Sequence, residues 1–302
     1  MSAKNTGVMK RLAFIKHLYN LGVEQSRKVE PLCYVSILTF HDAVELFLQL
    51  VAEYLDVKKR IKEIHFMEYW DLINHRLKEK GKSELTQKMA MERLNKARVA
   101  FKHYGTPPSK SAIEDFRVNV TRFFEENTDI VFNIKFAEIS LIELVTYKNV
   151  YDNLKVACQL LEENKIEDSL DKIALAFAQL IDGFEDRKRD EYGRSPFFFG
   201  GEFTFLSSFF MHVTGDLGRF VDKVREAIEA LQRAVKILSL GLDYKKYTRF
   251  GLLTPTVMRT VNGKYHIVRV KRGQKGTAAK EDVQFCIDFV IESALILQEY
   301  DF

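Results

Sequence analysis

Only 5 prolines and 15 glycines punctuate 302 residues, so helix breakers are scarce and helical periodicities run long. From about Val8 to Arg27, Leu12, Ile15, Leu18, Tyr19 and Gly22 recur at helical spacing and predict a first helix. Pro31 stands near the opening of a second, reaching about Tyr54, in which Ile37, Leu38, Val44, Leu46, Phe47, Leu50 and Val51 make a broad apolar surface. A third is expected from Phe66 to Lys80, closed by Gly81-Lys82-Ser83. Ser83 with Thr86-Gln87 opens a fourth. After Pro107-Pro108, a fifth runs from Ser109 to about Asn127, with Phe116, Val120, Phe123 and Phe124 on one face. These five form an antiparallel bundle on their own. The pattern lapses at Asn127-Thr128-Asp129, so a first domain is expected over residues 1–130 and a second over 131–302.

The second half predicts helices at about Glu138–Glu163, Ile166–Glu191, Phe203–His212, Asp216–Leu240 and Lys280–Glu299. The Leu/Ala-rich texture of Asp171–Leu180 faintly echoes Asp42–Leu50, as a duplicated bundle or any two buried helices would. Between Thr254 and Lys271 the helical pattern stops. Val257–Val261, then Asn262-Gly263, then Lys264–Val270 predict a β-hairpin with a two-residue turn. Its cations Arg259, Lys264, His266, Arg269, Lys271 and Arg272 are expected to face solvent or an anionic partner. The fold class is therefore all-α: a helical bundle, then a second helical domain with a small hairpin near 256–270.

The net charge of +4, from 46 basic and 42 acidic residues, leaves the molecule mildly basic. Attraction to nucleic acid would have to come from local patches. Cys33, Cys158 and Cys286 are far apart without a CxxC pair, which indicates neither a disulfide framework nor a zinc site. No run approaches the uninterrupted apolar length of a membrane span. The opening residues Met1–Asn5 lack the apolar core of a signal peptide, and a reducing cytoplasm is the expected setting.

The stretch with the most chemistry is Leu94-Asn95-Lys96-Ala97-Arg98-Val99-Ala100-Phe101-Lys102-His103-Tyr104-Gly105. It is a basic helix end halted by Gly105 and then by Thr106-Pro107-Pro108. At about 100° per residue, Arg98 and Lys102 share a face while His103 lies roughly 140° round from Arg98. Converging the two on one atom would need a second copy of the helix or fraying of its last turn. On the residues alone, these cations also suit the C-terminal end of a helix dipole.

An Arg, four intervening residues, a His and a glycine stop, at a helix end inside an all-helical bundle, resemble the nuclease signature of HEPN domains. The resemblance covers about residues 10 to 127. It implies metal-independent cleavage of RNA, with no cofactor, in a site often completed across a two-fold homodimer. On that resemblance His103 is the general base or acid and Arg98 stabilises charge on the phosphate. Lys102 and Tyr104 contact the substrate; Glu45 and His41 are supporting residues by their spacing on the second helix, with a structural or solvated role as the alternative. Attack by the ribose 2′-OH would restrict the substrate to RNA. Toxin–antitoxin and phage-defence systems use such enzymes, which implies an antitoxin or regulatory partner. Val99 departs from the pattern, since Asn, Asp or His commonly follows the Arg, and Tyr104 adjoins the His where some members place a Tyr two residues on. A non-catalytic helical module binding RNA, a nucleotide or a protein is the alternative.

His41 and Glu45 stand one turn apart, a spacing that can bind a metal or hold a site histidine, but the pair falls short of a full ligand set. His65 and His75 flank Trp70 without ligand geometry. Gly200-Gly201-Glu202-Phe203 matches a nucleotide-cyclase signature only in part and without its hairpin context. No GxxxxGK[ST] loop or GxSxG elbow occurs. The basic loop Arg187–Arg194, with Phe197, Phe198 and Phe199, would suit RNA stacking or a buried apolar anchor.

Overall fold

Among the described residues five glycines take up a left-handed backbone, Gly105 and Gly263 among them, and these two close elements that the sequence marks. The computed structural model describes residues 3–57, 64–197, 199, 216–260, 262–269 and 278–299. The expected helix at 203–212, the Gly200–Phe203 motif, Phe198, Lys271 and Arg272 lie outside them. Among the described residues the chain is all-helical apart from one hairpin, and it divides into two units, Met1–Leu144 and Val145–Phe302.

In the first unit, α1 (Ala3–Ser26), α2 (Ser36–Tyr54), α3 (Glu68–Glu79), α4 (Lys88–Tyr104) and α5 (Lys110–Phe132) surround one core. The central element is α2, which packs on the other four. Its Ile37, Phe40, Val44, Phe47, Leu48 and Val51 are fully buried. The segment Leu32–Tyr54 is long and apolar enough to cross a membrane, yet its apolar face is buried as the core of the bundle. Phe47 meets Phe123 and Phe124 edge-on at 5.4 and 5.6 Å, the geometry aromatic rings prefer.

Two local expectations are corrected here. Ser83 does not cap α4, which starts at Lys88 after Gln87 in the left-handed region. Its entry is pinned from α5 instead, where Asn127 Oδ1 accepts the Thr86 N–H at 2.8 Å. Asn127 is buried inside α5 because its amide also donates to Phe123 O at 2.8 Å, so the helix continues to Phe132. The first compact unit extends to Leu144. Phe136 stacks on Phe124 at 4.8 Å, and Lys16 Nζ donates to Ala137 O and Ile139 O at 2.7 and 2.6 Å. Those contacts fold the segment after α5 back onto the first core.

The second unit contains α6 (Lys148–Glu162), α7 (Ile166–Asp186), α8 (Asp216–Ser239), α9 (Tyr244–Leu253), β1 (Thr256–Arg259), β2 (Tyr265–Val268) and α10 (Lys280–Glu299). Phe177, Phe250 and Phe289 join α7, α9 and α10 at 4.9 to 5.3 Å between rings. The helix expected from Glu138 begins at Lys148, because Phe136–Glu138 and Leu141–Leu144 are short 3-10 turns. The helix expected to reach Glu191 stops at Asp186, where Asp190 caps its own turn by accepting the N–H groups of Tyr192 and Arg194. The sequence reading missed α9, whose first N–H groups, Lys245 and Lys246, are capped by Asp243 at 2.8 and 3.0 Å.

The hairpin forms with a longer loop than the two-residue turn expected. Arg259 pairs with Tyr265, Thr260 N–H bonds Lys264 O and Gly263 N–H bonds Thr260 O, each at 2.8 Å. Gly263 takes φ +73°, a left-handed position where glycine closes loops of this kind. Two of its cations are not free for an anionic partner. Arg259 binds Asp186 at 2.6 Å, and Arg269 binds Asp171, Asp168 and Glu167 at 2.5, 3.3 and 3.4 Å. All four carboxylates belong to α7, whose acidic face draws the hairpin down; Lys264 and His266 remain exposed.

Candidate functional site

The end of α4 is built as its sequence indicates. Gly105 takes φ +67° and donates its N–H to Phe101 O at 3.1 Å, while Thr106 N–H reaches Ala100 O at 3.2 Å. These two bonds satisfy carbonyls that the helix end would leave open. Lys102, His103 and Tyr104 are exposed on this last turn, Tyr104 to 79 %. Arg98 is half-buried one turn earlier. Among the described residues Lys96 pairs with Glu92 at 2.7 Å, whereas Arg98, Lys102 and His103 form no ion pair.

Within one copy, α4 carries Arg98 and His103 to different places. Five helical residues separate them by roughly 140° of rotation and about 7.5 Å along the axis. The charge of Arg98 acts on α2 instead. Asn95, three residues before it and on the same face, has its Oδ1 3.0 Å from His41 Nε2, and the charge of Arg98 is felt at that imidazole.

His41 is the most enclosed ionisable group of the site, with a side chain 3 % exposed. Its ring stacks on Phe66, centroids 4.3 Å apart and planes 26° from parallel. Nδ1 has no hydrogen-bond partner; Asp42 Oδ1 and Glu45 Oε2 each stand 3.7 Å from it. Burial pushes the imidazole below its ordinary value, Glu45 opposes that, and Arg98 adds to it.

Of the six site residues expected from sequence, the fold sets Glu45 beside His41, lets the charge of Arg98 reach that ring, and leaves Lys102, His103 and Tyr104 at the helix end. Sequence reasoning missed Asn95, Asp42 and Phe66. Asn95 was findable, because it shares the Arg98 face, and Asp42 adjoins His41. Phe66 had no signal, since a loop residue stacking on a distant helix leaves no periodic trace. His65 is exposed, and His75 is exposed beside Glu79 at 3.7 Å. In the basic loop, Arg189 and Arg194 are held by Asp186 and Asp190 at 3.0 and 2.8 Å, and Arg187 donates to Tyr147 Oη at 2.9 Å.

The fold and this site define an all-α protein with a small β-hairpin and a polar cluster joining two core helices. Compared with protein-family models, curated proteins and solved structures, the chain matches none.

Proposed function

We propose that the chain is a metal-independent endoribonuclease of the HEPN kind, acting in the cytoplasm as a homodimer. The observation that carries this reading is the state of the cations on α4. Arg98, Lys102 and His103 stand without a carboxylate partner among the described residues, while the hairpin arginines are neutralised by α7. Unneutralised cations on the last two turns of one helix suit a phosphodiester better than a surface already paired with its own acids.

In this reading His103 takes the proton from the ribose 2′-OH and the 2′-oxygen attacks the adjacent phosphorus. The 5′-oxygen leaves, taking a proton from water while His103 returns the 2′-OH proton to solvent, giving a 2′,3′-cyclic phosphate and a 5′-hydroxyl. Arg98 offsets the charge that builds on the phosphoryl oxygens. Lys102 holds a neighbouring phosphate as a point charge, and the exposed ring of Tyr104 stacks on a base. His41 and Glu45 support Arg98 from α2. Because Arg98 and His103 diverge on one helix, two copies of α4 bring the guanidinium of one to the imidazole of the other. Such a nuclease fits a toxin–antitoxin or phage-defence role, held in check by an antitoxin or regulatory protein.

The test is incubation of the purified protein with structured RNA in EDTA, beside His103→Ala and Arg98→Ala, with light scattering for the dimer. Cutting by the wild type, ending in cyclic phosphate and lost in both variants, is expected. RNA binding without cutting in any version would support instead a non-catalytic module, which Val99 in place of a polar residue favours.

A further inference from the structure

We infer that His41, Asp42 and Glu45 form a binding site for a divalent cation of the zinc class, with Asn95 orienting the imidazole. This does not rest on the nuclease reading, in which no metal takes part. Oδ1 of Asn95 can only accept, so at 3.0 Å from it Nε2 carries the ring proton and donates. In the neutral ring Nδ1 then holds a bare lone pair, buried and without a hydrogen-bond partner. That lone pair faces Asp42 Oδ1 and Glu45 Oε2, each 3.7 Å away. Three electron-rich atoms converging at the edge of a buried ring repel one another, and a cation between them turns each repulsion into a bond.

A second proton on the ring would also fill the gap, but on Nδ1 it would face oxygens 3.7 Å away, too far for a hydrogen bond. The arrangement suits a metal better. A metal-bound histidine ordinarily donates its other N–H to an oxygen that fixes the ring, which is the part Asn95 plays. The three ligand atoms lie within 4.8 Å of one another. Ligand atoms around a tetrahedral zinc, at about 2.1 Å from it, stand about 3.4 Å apart. Small rotations of the carboxylates close the difference, and both have room: the Asp42 side chain is 60 % exposed and that of Glu45 37 %. Two carboxylates beside one neutral ring leave the pocket negative. Nitrogen from imidazole with two carboxylate oxygens selects a borderline divalent ion over a soft one, and water completes the coordination.

The full chain, stripped with EDTA and dialysed, is titrated with Zn²⁺ alone by calorimetry and with Co²⁺ by visible absorption. Expected are one Zn²⁺ per chain, a Co²⁺ spectrum of nitrogen and oxygen ligands, and a higher melting temperature with metal. Asp42→Asn and Glu45→Gln, both at exposed side chains that leave the core intact, each weaken binding at least about tenfold. Absence of stoichiometric binding, or binding equally tight in both variants, overturns the site. RNA cutting in EDTA is a separate readout, so either idea can fail without the other.

Discussion

Asn95 on α4 and His41 on α2 meet at 3.0 Å, and this bond joins the central helix of the first unit to the helix bearing the cation row. It is a side chain to side chain bond between residues far apart in sequence, with the imidazole buried. Removing the acceptor strands a buried N–H, which costs about 1–3 kcal/mol. Asn95→Leu should therefore lower the unfolding free energy by that amount, while Asn95→Asp, still an acceptor, should lose less. Trp70, the single tryptophan and fully buried in the first unit, reports the transition by fluorescence in urea. Equal losses in both variants would show that the bond is not what matters.

Gly22 on α1 lies against the ring of Phe40, and an added Cβ would come within 2.7 Å of its Cδ1 and Cε1. Phe40 is fully buried and cannot swing away. Overpacking of this kind costs about 1–3 kcal/mol, against about 0.5–1 kcal/mol that alanine returns by helix propensity. Gly22→Ala should be net destabilising in the same Trp70 assay; a more stable variant would mean the two helices separate freely.

Gly105 has open space around a would-be Cβ but a φ of +67°. The cost of Gly105→Ala is conformational alone, about 1–2 kcal/mol for an L-residue in the left-handed region. Concentrated in the last turn of α4, it should loosen His103 more than the core. The expected result is a small drop in stability with a larger drop in RNA cleavage, and a proportionate loss of both would argue against a role for this turn.

Asp243 caps α9, and the N–H of Lys246, then that of Lys245, hold its carboxylate below the ordinary 3.8. A depressed native value means stabilisation that is present above 3.8 and lost as pH falls through the native value. Asp243→Ala should therefore melt at a lower temperature than wild type at pH 7, with the gap closing as pH drops below about 4. Asp243→Asn, also a good cap, should show a smaller gap and little pH dependence. A gap constant from pH 7 to 3 would contradict the capping role.

Arg269 lies among three carboxylates of α7. Exposed pairs contribute about 0–1 kcal/mol each and weaken in salt. Arg269→Ala should speed amide exchange across 256–268 at low salt, and wild type should approach the variant in 1 M salt. Unchanged exchange would leave the hairpin held by its own ladder.

Local chemistry reached surprisingly specific places in this chain. The helical spacing in α1 to α5, the stop at Gly105 and the turn at Asn262-Gly263 all depend on residues within one or two turns of each other, so they are visible in the sequence. The hairpin existed where alternation put it, but the Thr260·Lys264 closure and its longer loop followed from strand pairing.

The pairings decided by tertiary structure had no such local mark. Whether Arg259 and Arg269 face a ligand or an acid depends on where α7 passes, and the sequence supplies cations without saying which will be neutralised. The first unit runs to Leu144 because Phe136 and Lys16 find Phe124 and two carbonyls across the bundle. His41 becomes a buried, half-satisfied imidazole only when Asn95 and Phe66 close over it. Helix periodicity says which face turns inward; only the packing of several faces says which polar atoms meet there, because desolvation and hydrogen-bond geometry are properties of the assembled core.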